Sequence, residues 1–167
     1  MKILLTACLL VLSTTLFAQP DTTTPIYKRF PTLPPLQLFL PDSLTKYTKE
    51  DIPKKKPVLI MLFSPDCEHC KHEAEELAAQ KESFKNIHII MVSPYPFYRL
   101  REFADTYGLS GLQNVVIAKD PSYFLMTFYN IRNFPYMALY NKKGQLIETI
   151  EGSKPMETVL LSFKNNK

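Results

Sequence analysis

The sequence predicts an α/β fold in which a central mixed sheet is flanked by helices, with a β-hairpin added at its N-terminal end. Three observations predict it. Val58 to Phe63 and Ile87 to Val92 are almost continuously apolar runs, the pattern of parallel strands covered on both faces. A helix-like run from Ala74 to Lys85 joins them, which makes a β-α-β unit. A further apolar strand, Tyr136 to Tyr140, is followed by Asn141-Lys142-Lys143-Gly144, a hairpin turn with glycine at the left-handed place. A partner strand, Gln145 to Glu151, comes next.

The elements follow in order. Residues 1–18 carry the marks of a secretory signal: Lys2 at the start, an apolar stretch from Ile3 to Leu16, and the cleavage site Leu16-Phe17-Ala18 before Gln19. The stretch is too short, and too often interrupted by Ser and Thr, for a comfortable membrane span. Leu5-Thr6-Ala7-Cys8 imitates a lipoprotein cleavage box, but only about five apolar residues precede Cys8, fewer than an export core needs. Cleavage after Ala18 and delivery to the periplasm are therefore expected over lipidation of Cys8. Residues 19–35 hold Pro20, Pro25, Pro31, Pro34 and Pro35 and read as a linker or extended arm. Residues 36–167 suit one domain. Leu36 to Leu40, Pro41-Asp42-Ser43 and Leu44 to Thr48 read as strand, turn and strand. Lys54-Lys55-Lys56 is a solvated turn before the central strand. Beyond Ser93-Pro94-Tyr95-Pro96, a helix runs from Phe97 to Tyr107, with Gly108 as its stop. A short strand, Asn114 to Ala118, and a short aromatic helix, Ser122 to Tyr129, precede the hairpin. Lys154 to Phe163 is the last helix, with Met156, Val159, Leu160 and Phe163 on one face. His88 has no cysteine or histidine spaced to share a metal and reads as a strand-end histidine.

The chemistry concentrates in Ser64-Pro65-Asp66-Cys67-Glu68-His69-Cys70-Lys71-His72-Glu73. A strand that ends in Cys-x-x-Cys at the mouth of a helix is a redox device. The first helical N–H groups lack intrahelical partners and point at the first sulfur, and the helix dipole favours a thiolate there. Cys67 is then the nucleophile toward a disulfide, and Cys70, one turn below, resolves the mixed disulfide. A structural bridge three residues apart would constrain the unfolded chain little. A zinc site would need further ligands, and Cys67 and Cys70 are the only cysteines left once Cys8 departs with the signal. Asp66, Glu68 and His69 flank the pair and tune it: a protonated His69 favours the thiolate, whereas Asp66 and Glu68 oppose it. At 100° per residue, Cys70, Ala74, Leu77, Ala78 and Phe84 form one stripe, and Glu73 falls at its edge. Partial burial there raises a carboxyl pKa and lets Glu73 exchange protons with the cysteine pair, feeling the Cys67 thiolate as a like charge.

The segment resembles the active site of thioredoxin-like proteins, and most of all the exported TlpA/ResA-type thiol–disulfide oxidoreductases. That family reads strand, Cys-Glu-Pro-Cys or similar, two residues, glutamate, and Cys67 to Glu73 keeps the spacing. Asp66 stands where an aromatic is usual, Pro65 where the family often has a small or polar residue, and His69 where proline is common, as in DsbA-like oxidants. The resemblance covers residues 36–165. It implies a thioredoxin-like fold and an N-terminal hairpin. It also implies a cis-proline loop at Phe134-Pro135-Tyr136 that offers backbone groups to a bound substrate chain; proline is the residue that takes a cis bond cheaply.

The expected function is an exported oxidoreductase, acting as a reductant on disulfide-containing envelope proteins and served by a membrane electron donor or acceptor. A monomer is expected, with no cofactor and no metal. A formal net charge of +4 without a clustered basic stripe gives nucleic-acid binding no support. Two readings compete. A copper-delivery protein would use Cys67, Cys70 and a histidine for Cu(I), although His69 and His72 point away from the sulfurs on an ideal helix. A peroxiredoxin-like peroxidase would want Ser or Thr three residues before the cysteine, where Ser64 stands, and proline four residues earlier, where Ile60 stands. Covalent haem attachment wants histidine at the place of Lys71.

Overall fold

The computed structural model of the chain describes residues 24–165. The expected signal, Cys8 and the start of the proline-rich arm lie outside the described residues. The elements are α1 (Ile26–Arg29), β1 (Gln37–Phe39), β2 (Lys46–Thr48), β3 (Val58–Leu62), α2 (Glu68–Ala79), α3 (Lys81–Phe84), β4 (His88–Ser93), α4 (Phe97–Thr106), β5 (Val115–Lys119), α5 (Phe124–Tyr129), β6 (Tyr136–Tyr140), β7 (Leu146–Glu151) and α6 (Met156–Asn165).

They build a mixed, seven-stranded sheet in the order β2-β1-β5-β4-β3-β6-β7. Strands β3, β4 and β5 are parallel, joined by crossovers that contain α2 and α4. The hairpin β6–β7 adds antiparallel to β3, and the N-terminal hairpin β1–β2 adds antiparallel to β5. Side chains alternate along each strand, so an all-apolar strand feeds two cores. Leu59, Met61, Ile89, Met91, Met137 and Leu139 enter one core, with α2, α4 and α6. Ile60, Leu62, Ile90, Val92, Ala138 and Tyr140 enter the other, with α5 and the N-terminal arm.

Two local outcomes differ from the sequence reading. The helix that leads out of the cysteine pair does not run to Lys85. It ends at Ala79, Gln80 leaves helical geometry at φ −101°, ψ 19°, and α3 restarts at Lys81. The break lets Phe84 turn fully into the core while Glu82 and Lys85 stay in water. The described part of the arm is docked on the domain. Leu33 and Leu36 are buried, the Leu33 carbonyl accepts from Lys49 Nζ at 3.0 Å, and Thr32 bridges Gln145. Gly144 in the last hairpin turn has φ +73°, which calls for glycine, and a Cβ there would press on the docked Leu33 side chain at 3.2 Å. His88 opens β4, buried, with Tyr47 Oη 2.7 Å from its Nε2. Burial, with Lys56 adding to it, pushes its pKa down to about 4.

Candidate active site

Strand β3 delivers the chain to a buried turn, Phe63–Pro65, at the end of the sheet. Ser64 holds the turn: its carbonyl accepts from Cys67 N at 3.1 Å and its hydroxyl from Asp66 N at 3.2 Å. Helix α2 then begins, with Cys67 in extended geometry as its N-cap. Nothing in 68–79 is β-branched, and Glu68 lies in the first turn, where a negative charge suits the dipole. Cys67 is half-buried and Cys70 fully buried; both are free thiols. The Cys67 sulfur accepts from Cys70 N at 3.2 Å, so the sulfur itself caps the helix. Burial raises the Cys70 pKa well above that of an ordinary thiol. Its interaction with Cys67 and the Glu73 charge raise it further, against a lowering hydrogen bond from Ser64. The two thiols are therefore unequal: one half-buried at a helix N-terminus, one desolvated beneath it.

Glu73 lies deeper than a boundary residue, at 1% exposure. Its Oε1 accepts from Ser153 Oγ at 2.9 Å and from Lys154 N at 2.7 Å, while its Oε2 is buried without a partner. Burial raises its pKa, opposed by those two hydrogen bonds. The charge of Glu73 is among the influences that raise the Cys70 pKa. Glu76 reaches the same segment through Met156 N at 2.7 Å. Two carboxylates of α2 therefore cap the start of α6.

The flanking residues separate. Asp66 pairs with Arg99 Nη2 at 2.5 Å, and Glu68 with Lys71 Nζ at 2.5 Å. His69 is exposed. A cleft of about 200 Å³ next to them is lined by Pro65, Lys71, Arg99, Phe103, Thr106 and Tyr107 among others. Across from Cys67, the pairing of Leu62 with Tyr136 brings Pro135 to the end of β3. The Phe134–Pro135 peptide is cis, and Gly152 N donates to the Pro135 carbonyl at 2.9 Å. Phe134 is half-buried and packs on the same core as Cys67. The Tyr136 side chain is turned away from this surface. Its neighbour Met137 points to the cysteine side, so its own ring turns into the opposite core at 3% exposure.

Arg99, Ser153, Lys154 and Glu151 take part without having been singled out in the sequence, whereas Ser64 belongs to the motif already read there. Glu151 Oε1 accepts from Arg132 N at 2.8 Å and Asn133 N at 2.7 Å, which fixes the loop before Pro135. Each of these links except those of Ser64 joins residues at least 18 apart, so no local pattern marks it. Among the described residues no group of three or more His, Cys, Asp or Glu could hold a metal, and no helix is long and apolar enough to cross a membrane. His72 is turned to Glu76, 3.3 Å away.

A family model described as a thioredoxin-like domain matches residues 44–165. The chain belongs to that thioredoxin-like family. No curated protein matches it in sequence. Solved structures share the fold of this thioredoxin-like chain at low identity. A secreted Mycobacterium tuberculosis disulfide oxidoreductase homologous to E. coli DsbE is 13% identical at a TM-score of 0.65, with 78% of this chain and 95% of that chain covered. StoA from Bacillus subtilis is 17% identical at 0.61, with 79% and 98% covered. The peroxidoxin BcpB from Mycobacterium tuberculosis is 12% identical at 0.68, with 81% and 96% covered.

Proposed function

We propose that this thioredoxin-like protein is an exported thiol–disulfide oxidoreductase that reduces disulfides of envelope proteins. The observation that carries the reading is the inequality of the two thiols. Cys67 caps α2 half-exposed, with Cys70 N donating to its sulfur, and Cys70 lies fully buried beneath it. Membership of the thioredoxin-like family supports it, as does the likeness in fold to a secreted disulfide oxidoreductase.

The steps follow from the geometry. The Cys67 thiolate attacks one sulfur of a substrate disulfide; a mixed disulfide forms and the other substrate sulfur leaves as a thiolate, which takes a proton. Cys70 then loses its proton and attacks the Cys67 sulfur, expelling the second substrate thiolate. The substrate gains two electrons, and the protein is left with a Cys67–Cys70 disulfide for an electron donor to reduce. Burial makes Cys70 a reluctant acid, so its deprotonation needs a base. We assign that role to Glu73, whose charge is felt at Cys70 and one of whose oxygens has no hydrogen-bond partner. The loop of Phe134 and Pro135, whose Phe134 packs on the same core as Cys67, is the surface we assign to a bound substrate chain.

A peroxidase reading has the likeness to BcpB in its favour. Ile60 opposes it: it lies mid-strand in the core, at the place where the peroxidatic pattern wants proline. One set of assays separates the readings. Under dithiothreitol the protein should accelerate reduction of insulin, leave hydroperoxide consumption at the uncatalysed rate, and equilibrate with glutathione near −270 mV, roughly the thioredoxin value. A potential near −120 mV, roughly that of DsbA, would make it an oxidant, and peroxide turnover without disulfide turnover would favour the peroxidase.

A further inference from the structure

The residue immediately before the nucleophile is an aspartate, a like charge beside a sulfur that must ionise. The fold answers it with an arginine from another element. Arg99 Nη2 meets Asp66 Oδ1 at 2.5 Å, and Arg99 Nε lies 3.8 Å from Glu102 Oε2. The Arg99 side chain is 29% exposed and lines the cleft beside the cysteine loop. Its place in α4 is unfavourable to the helix: the first turn is where the dipole favours anions, and Arg99 is the third residue. Surface ion pairs contribute little to stability, so this pair is poorly explained as a staple. Its place on the residue that precedes Cys67 in the chain explains it better.

We propose that Arg99 is a positioning residue for the nucleophile: it draws the Asp66 carboxylate toward α4 and neutralises it, so that Cys67 ionises without an opposing charge at its side. This rests on the oxidoreductase reading for its purpose, though not for its physics. The charged and titratable groups around Cys67 are Asp66, Glu68, His69 and Lys71 on its own segment, and Cys70 and Glu73 further along α2. Arg99, Glu102 and Tyr107 lie on or just beyond α4, and Arg132 on the loop before Pro135. Of the anions, Asp66 is adjacent to Cys67 in the chain, and Glu68 already has Lys71 as its own partner. Arg99 is thus the cation whose loss should be felt at Cys67 through Asp66.

The test is a double-mutant cycle of R99Q and D66N, read as the alkylation rate of Cys67 by iodoacetamide from about pH 5 to about pH 9, with the site of labelling confirmed by mass spectrometry. The R99Q substitution should move the midpoint up by about half a pH unit, slowing the reaction about threefold below the midpoint. In the D66N background the same substitution should move it by less than half as much. A midpoint that R99Q leaves in place would overturn the proposal. So would an equal shift with and without Asp66, since Arg99 would then act on Cys67 directly. The readout is the thiol alone. A wild-type protein that fails to reduce insulin contradicts the oxidoreductase reading and leaves this comparison to decide the role of Arg99.

Discussion

On the face of the sheet covered by α2, α4 and α6, the buried Glu73 carboxylate has one oxygen bonded by Ser153 and Lys154 and the other unpartnered, near a buried thiol. On the face covered by α5 and the arm, buried polar groups bond mostly to one another. Tyr129 and Tyr140 share a hydrogen bond of 2.6 Å, and Tyr47 bonds His88 at 2.7 Å. Tyr136 departs from this: its hydroxyl makes no bond of good geometry, with Tyr27 and Thr149 beside it. On the proposed mechanism, the difference marks where a proton would move. A satisfied pair holds its protons and fixes a packing arrangement. A carboxylate short of one partner, next to a desolvated thiol, can take a proton without breaking a bond.

The largest expected effect lies on the first face. Cys67→Ser should abolish insulin reduction, and Cys70→Ser should accumulate a mixed disulfide with substrate, visible on a non-reducing gel. A Cys70→Ser protein that turns over like wild type would remove the resolving step.

The next effect belongs to the second face. The folded pKa of His88 is depressed from 6.5 to about 4, so the unfolded chain binds the proton more readily. Stability is then full above the unfolded pKa and falls as pH drops from 6.5 toward 4, by about 3 kcal/mol. Urea midpoints against pH measure this, and His88→Leu should flatten that part of the curve. An unchanged acid slope in the variant would place the loss elsewhere.

Glu73 should behave with the opposite sign. Its folded pKa is raised, so its contribution is greatest in acid and is lost as pH rises above its ordinary value of 4.5 and through the folded pKa. Glu73→Gln should remove that decline and slow insulin reduction about 100-fold, the lower end for a lost proton-transfer group. Superimposable rate–pH curves for variant and wild type would reduce Glu73 to a cap of the α6 segment.

The smallest effect tests the self-satisfied pairs. Tyr140→Phe leaves the Tyr129 hydroxyl short of its partner and should cost about 1 to 2 kcal/mol, with insulin reduction unchanged. A loss of turnover there would mean that the two faces are coupled.

What the sequence makes legible and what it does not divide along the same lines. The apolar runs of β3, β4 and β6 mark their strands because strand burial is written at a period of two or as a continuous run. The cysteine pair and Glu73 can be placed because helical spacing is local. The break at Gln80 has no signal: nothing in Ala79-Gln80-Lys81 disfavours a helix, and the packing of Phe84 decides it. The docked arm was equally hidden, because its prolines read as a linker while Leu33 and Leu36 find the second core only once the sheet exists. Arg99 with Asp66, and Ser153 and Lys154 with Glu73, meet across 33, 80 and 81 residues. The depth of Glu73 depends on those contacts, so a helical wheel shows it only as an edge residue.

The central claim is that the two thiols are chemically unequal, with Cys67 the nucleophile and Cys70 the buried resolving thiol. The most direct measurement is the rate of alkylation of each cysteine in the fully reduced, folded protein near neutral pH, mapped by mass spectrometry. Cys67 should be labelled much faster than Cys70. Equal rates, or Cys70 first, would contradict the account.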